Sequence, residues 1–148
     1  MSTRLYNDAI LAEAKAQHGH GRLAEPDASV TCDNPLCGDR VTIDLKLQGD
    51  RITEIAQTTR GCLLTQAAAS VIGRHLVGSS AAELGQATAD VHRFLAGESA
   101  EPNWTELVMF APVQAVQSRH ECVLLPFTAA AAVLAKAAAV QATSPDPG

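Results

Sequence analysis

Aromatic side chains are nearly missing: the chain has one Trp, one Tyr and three Phe in 148 residues. A core must then be filled by aliphatic side chains and alanine, which predicts helices packed closely through small residues. There is no Lys/Arg cluster, and the net charge is −5, which argues against a nucleic-acid surface. No unbroken apolar run reaches the length of about 18 residues that suggests a membrane span, so no membrane association is expected. The opening MSTRLYNDAILAEA is amphipathic rather than a continuous apolar core, so no secretory signal is expected either. These absences point to a cytoplasmic, reducing setting, where cysteines bind metals or react more often than they form disulfides. The four cysteines include no C-x-x-C pair, and no internal repeat is present. The length suits a single domain over residues 1–142, with Ser-Pro-Asp-Pro-Gly ending a disordered tail at 143–148.

The periodicity predicts an α+β fold. Residues 3–17 read as a helix capped by Ser2 or Thr3, with Leu5, Ala9 and Ala12 or Ala16 as its stripe beside Ile10 and Leu11. His18-Gly-His-Gly21 breaks it, and its two histidines read as a polar helix exit rather than metal ligands. Ala28–Thr31 suits a short strand. Residues 40–48 alternate cleanly, placing Val41, Ile43, Leu45 and Leu47 on one face and Thr42, Asp44, Lys46 and Gln48 on the other. Gly49-Asp50 is a two-residue hairpin turn, and Arg51–Thr58 returns as the third strand.

At Gly61-Cys62 the period changes to 3.6. Residues 62–77 read as a buried helix, with Cys62 at its N-terminus, where unpaired amides and the dipole favour a thiolate. Ser80 and Glu83 form a capping box for a helix over 81–96. Trp104–Phe110 reads as a short helix or turn ended by Ala111-Pro112. Residues 118–140 form an Ala-rich helix with Cys122 near its start, and Pro126 either kinks it or marks its true beginning. The expected architecture is a small three-stranded antiparallel sheet packed against several helices, with a site at one end.

That site is suggested by Cys32-Asp-Asn-Pro-Leu-Cys-Gly-Asp39, a turn-rich loop that holds Cys37 and Asp39 two residues apart around Gly38. Cys37, Cys62 and Cys122 all fall at junctions between elements rather than in mid-element. Together with Asp39 they supply three thiolates and a carboxylate, a set suited to tetrahedral zinc or to an iron–sulfur cluster. Spacing alone leaves scattered thiols standing as the other reading.

The runs NPLCGD at 34–39, RGCLLTQAAAS at 60–70 and RHECVLLPF at 119–127 occur in a specific order. In that order the chain resembles the IscU/NifU/SufU family of iron–sulfur cluster assembly proteins over roughly residues 4–140. The long interval between Cys62 and Cys122, Arg119, and Glu121 in place of the His of the IscU type lean towards SufU, as does the lack of an LPPVK motif. The resemblance implies that Cys37, Asp39, Cys62 and Cys122 bind Zn2+, or hold a transient [2Fe–2S] cluster. It implies that Cys37 accepts persulfide sulfur from a SufS-like cysteine desulfurase, and that apo iron–sulfur proteins are the acceptors. The chain departs from the family pattern at Gln57, Thr59, Ser79 and Glu121, all of which bear on partner docking. The reading is a SufU-like sulfur acceptor; the departures at Gln57, Ser79 and Glu121 keep open the alternative of a zinc-stabilised binding protein that has lost desulfurase coupling.

Among the remaining residues, Cys32 reads as a small strand residue rather than a redox group. His120 reads as a poor ligand, because a helix turns residues two apart away from each other. His75 and His92 read as helix-surface residues. Arg119 suits either a bound thiolate or open water.

Overall fold

Val41, Ile43 and Leu45 are fully buried in the middle strand of a three-stranded antiparallel sheet. The computed structural model describes residues 7–35, 38–98 and 102–143. The strands are β1 (Ala28–Asn34), β2 (Asp39–Gln48) and β3 (Arg51–Arg60), in the order β1-β2-β3. The predicted turn at Gly49-Asp50 is present, with Gln48 paired to Arg51. The helices are α1 (Asp8–Ala16), α2 (Leu63–His75), α3 (Ala81–Leu95) and α4 (His120–Thr143). A 3-10 helix, Thr105–Ala115, and a short 3-10 turn, Gln117–Arg119, lead into α4.

Alanine does what the shortage of aromatics required. Ala67 and Ala68 of α2 and Ala129, Ala130 and Ala137 of α4 are fully buried. Helix α4 lies across β1 and β2 and against α2, α2 covers β3, and α1 packs on α2. One buried cluster runs from Ile10 through the sheet to Ala137.

The window Gln117–Gln141 is long and apolar enough, by length and composition, to cross a membrane. Here 56% of its most apolar 18-residue stretch is buried inside the fold, where it packs against the sheet and α2. The count of unbroken apolar residues missed this window, because polar residues interrupt it without changing its overall composition.

Several sequence expectations are corrected. Helix α1 is capped by Asn7, whose side chain accepts from Ile10 N–H at 2.9 Å; Ser2 and Thr3 lie outside the described residues. Its buried stripe is Ile10, Glu13 and Ala14, not Ala9, Ala12 and Ala16, because the helix rests on α2 through a polar network. In that network Glu13 accepts from Ser70 Oγ at 2.7 Å and from Arg74 at 2.6 Å. Asp44, expected on the solvent face of β2, is fully buried. Residues 22–23 cover it: Arg22 donates to both of its oxygens, Leu23 N–H donates at 3.0 Å, and Ser29 Oγ donates as well.

The 3-10 helix does not stop at Pro112 but continues through it to Ala115. Leu107, Phe110 and Val113 recur every third residue and are all fully buried. A helix of three residues per turn puts such residues on one face, so the pattern suits 3-10 geometry better than α. Pro126 lies inside α4, one turn after Cys122, and the helix begins before it at His120. Of the tail expected at 143–148, Thr143 instead ends α4, and residues 144–148 lie outside the described residues.

Candidate metal centre

Asp39 opens β2, Cys62 is the N-cap of α2, and Cys122 lies in the first turn of α4. A strand start and two helix starts therefore meet at one end of the sheet. The carboxylate and the two Sγ atoms lie within 4.8 Å of one another, and among the described residues this group is capable of holding a metal ion. Asp39 is 2% exposed and Cys122 0%, while Cys62 is half-buried and forms the side nearer solvent. Helix N-termini carry partial positive charge, so the starts of α2 and α4 both favour anionic groups here.

Two donors fix the Asp39 carboxylate. The Cys62 backbone N–H donates to Oδ1 at 3.1 Å, and the Thr65 hydroxyl donates to Oδ2 at 2.9 Å. Thr65 is fully buried, and its Oγ1 also lies 3.5 Å from Cys62 Sγ. The backbone before Cys62 presses on the same carboxylate. A Cβ built on Gly61 would stand 2.3 Å from Asp39 Oδ1 and 2.8 Å from Cγ. Only glycine leaves room for Asp39 beside the α2 N-cap. Sequence reasoning used Gly61 only to mark where the period changes, and Thr65 only as part of a motif. The readable signal was the Gly-Cys-x-x-Thr spacing, which puts the hydroxyl one helical turn after the cysteine.

Cys37 lies outside the described residues, between Pro35 and Gly38. The hydrogen bond from Gly38 N–H to Asn34 O, 2.8 Å, ties the two ends of its loop. Beside the site, Asp33, Asn34, Pro35, Gly38, Asp39, Arg40 and Arg60 line a pocket of about 410 Å³. Cys32 stands apart from the metal-capable group. It is a half-buried strand residue paired with Val41, and burial, followed by the charge of Asp33, pushes its thiol pKa up.

His120 does not turn toward the thiols. Its Nε2 lies 3.0 Å from Val113 O and 3.3 Å from Gln114 O, where it donates to the end of the 3-10 helix. Glu121 is exposed, so its charge faces solvent rather than the buried site. Arg119 is half-buried at the end of the short 3-10 turn. His75 is more than a surface residue. Its ring stacks on Trp104 at 4.3 Å and its Nε2 meets Glu106, docking the 3-10 helix onto α2.

The other departures from the family pattern serve the sheet edge. Gln57 is buried at 2% exposure; its backbone bonds Gly19 and Gly21, and its side chain donates to His18 O at 3.0 Å. Thr59 Oγ1 donates to Gln57 Oε1 at 2.6 Å. Ser79 accepts from Ile52 N–H at 2.9 Å, further along the same edge.

The chemistry of the clustered donors fits a metal. Two thiols and a carboxylate supply soft and hard ligands close enough to share one ion, and zinc accepts this mixture in tetrahedral sites. The Gly61 cradle and the two hydrogen bonds hold the carboxylate at the two thiols.

The sequence profile named NifU-like N terminal domain matches residues 5–115. The chain is 29% identical over 140 residues to the iron-sulfur cluster assembly scaffold protein IscU of Streptococcus pyogenes serotype M1, covering 93% of this chain and 87% of that protein. It is 31% identical over 74 residues to the zinc-dependent sulfurtransferase SufU of Bacillus subtilis, covering 50% of each. The crystal structure of the N-terminal part of a NifU-like protein from Brucella abortus superposes with a TM-score of 0.86 at 33% identity, covering 95% of this chain and 96% of that one. With three quarters of its length inside the matched profile, the chain belongs to the NifU-like N-terminal domain family.

Proposed function

We propose that this protein takes part in iron–sulfur cluster assembly as a SufU-like sulfur acceptor, with zinc held by Cys37, Asp39, Cys62 and Cys122. The observation that carries the reading is the convergence of Asp39, Cys62 and Cys122 at the starts of β2, α2 and α4. Membership of the family and the likeness to a zinc-dependent sulfurtransferase support it. Bound zinc would keep the site's cysteines as thiolates at neutral pH. Cys37, two residues before Asp39 in the sequence, is the nucleophile in this reading. Its thiolate attacks the outer sulfur of a persulfide carried by a SufS-like cysteine desulfurase. The sulfur–sulfur bond of that persulfide breaks, the desulfurase cysteine leaves as a thiolate, and a new sulfur–sulfur bond forms on Cys37. The exchange needs no outside oxidant or reductant. The sulfur then passes towards apo iron–sulfur proteins. Such persulfide chemistry belongs in a reducing compartment such as the cytoplasm.

A second reading is direct assembly of a transient [2Fe–2S] cluster as cargo on the same residues. It is favoured by the likeness to a scaffold named IscU, which runs over 93% of the chain. Anaerobic reconstitution followed by transfer to an apo-acceptor separates the two, because only a scaffold passes on an intact cluster. The third reading is a zinc-stabilised binding protein that has lost desulfurase coupling; Gln57, Thr59 and Ser79 bond within the sheet edge and Glu121 faces solvent, and desulfurase turnover decides it.

The deciding experiment is desulfurase turnover with and without the protein. The expected result is stimulation, with a persulfide on Cys37 found by mass spectrometry, both abolished by Cys37→Ala. No stimulation and no persulfide would reject the sulfur-acceptor reading.

A further inference from the structure

A single fully buried hydroxyl is placed between two members of the candidate metal centre. Thr65 Oγ1 lies 2.9 Å from Asp39 Oδ2 and 3.5 Å from Cys62 Sγ. A threonine hydroxyl has one proton to donate and lone pairs with which to accept. An ionised Asp39 can only accept, so the Thr65 proton goes to Oδ2. The Cys62 N–H already occupies Oδ1 at 3.1 Å. Each carboxylate oxygen therefore has one fixed donor from the start of α2, and rotation of the group about its Cβ–Cγ bond would break both bonds. Gly61 leaves the space that the carboxylate occupies, because a single added carbon there would meet Oδ1 at 2.3 Å. Asp39 is 2% exposed, so water is poorly placed to replace a lost donor.

We infer that Thr65 is a positioning residue for the metal centre: its hydroxyl aims the Asp39 carboxylate at Cys62 and Cys122. This rests on the metal-site reading above and deepens it. Groups that hydrogen-bond metal ligands fix ligand orientation, and removing one typically weakens metal binding about 10- to 100-fold. The hydroxyl matters here and the methyl does not, so serine should replace threonine and valine should not.

The test is zinc affinity measured by competition with a chromophoric chelator on the full chain, alongside the visible spectrum of the cobalt-loaded protein. Thr65→Val is expected to bind zinc about 10- to 100-fold more weakly and to shift the cobalt bands. Thr65→Ser is expected to restore both. In an Asp39→Ala background Thr65→Val should add little, because a residue that acts through Asp39 has nothing left to position. If Thr65→Val does not purify folded, Thr65→Ala carries the same expectation without adding volume. A purely structural threonine would lower melting temperature without moving the cobalt spectrum, and that result overturns the inference. Equal zinc affinity in wild type and Thr65→Val overturns it while leaving the metal site intact. A wild-type protein that binds neither zinc nor cobalt overturns the metal-site reading together with it.

Discussion

Asp44 illustrates how much one side chain can depend on a neighbouring loop. Burial alone would raise its pKa, but hydrogen bonds from Arg22, Ser29 and the Leu23 N–H, with the charge of Arg22, outweigh burial and hold the carboxyl below its usual value. A carboxyl lowered by folding contributes stability that is complete above the unfolded value, near pH 4, and is lost as pH falls through the folded value. Asp44→Asn should therefore cost about 1.5–3 kcal/mol at pH 7, the range for hydrogen bonds to a charged group. It should also flatten the decline of stability between pH 5 and pH 2 relative to wild type, as read by urea unfolding at each pH. An equally steep decline in the variant would show that Asp44 is not the titrating group. The alternation of residues 41–48 put Asp44 correctly on the face opposite Ile43. That this face is covered at position 44 depends on the chain from Arg22 to Leu23 folding back over it, a long-range fact that no local period contains. Asp39 is singled out by a local pattern, N-P-x-C-G-D, and the structure brings its carboxylate within 4.8 Å of the Cys62 and Cys122 sulfurs.

At the scale of elements, the close approach between α2 and the loop after α1 is set by another glycine. A Cβ on Gly73 would lie 2.0 Å from the carbonyl oxygen of His18, too close for the helix and loop to keep their spacing. The same loop is tied down by the His18 N–H donating to Ser70 Oγ at 2.9 Å and by the Gln57 side chain. Gly73→Ala would normally strengthen a helix, since alanine is favoured over glycine by about 1 kcal/mol. Here overpacking should win by about 1–3 kcal/mol, so the variant should melt earlier than wild type in calorimetry. A melting temperature equal to or above wild type would contradict the contact. Sequence periodicity found β2, β3, α2, α3 and α4 because their apolar repeats are regular, and the Ser80–Glu83 capping box is present as expected. It misjudged Thr105–Ala115, whose apolar residues follow a period of three and whose proline was taken as a stop. It also missed the His75–Trp104 stack, because the partners are joined only after α3 has taken the chain away and back.

Across the whole molecule, the free edge of β3 is closed at both ends by loops. Residues 19–21 bond Gln57, and residues 78–79 bond Ile52. These loops leave less unpaired backbone to invite association at that edge. The same folding brings the starts of β2, α2 and α4 together, which is how residues separated in sequence form one site. The three-part motif announced that meeting, while the hydrogen bonds that orient it became visible only in three dimensions. The most direct test of the account is metal content with thiol titration of the purified protein and of Cys62→Ser. The account predicts about one zinc per wild-type chain, as in a closed four-ligand site, with loss of that zinc in Cys62→Ser while the chain stays folded. A folded wild-type protein that holds no metal, with Cys37, Cys62 and Cys122 all titrating as ordinary thiols and zinc giving no rise in melting temperature, would contradict it.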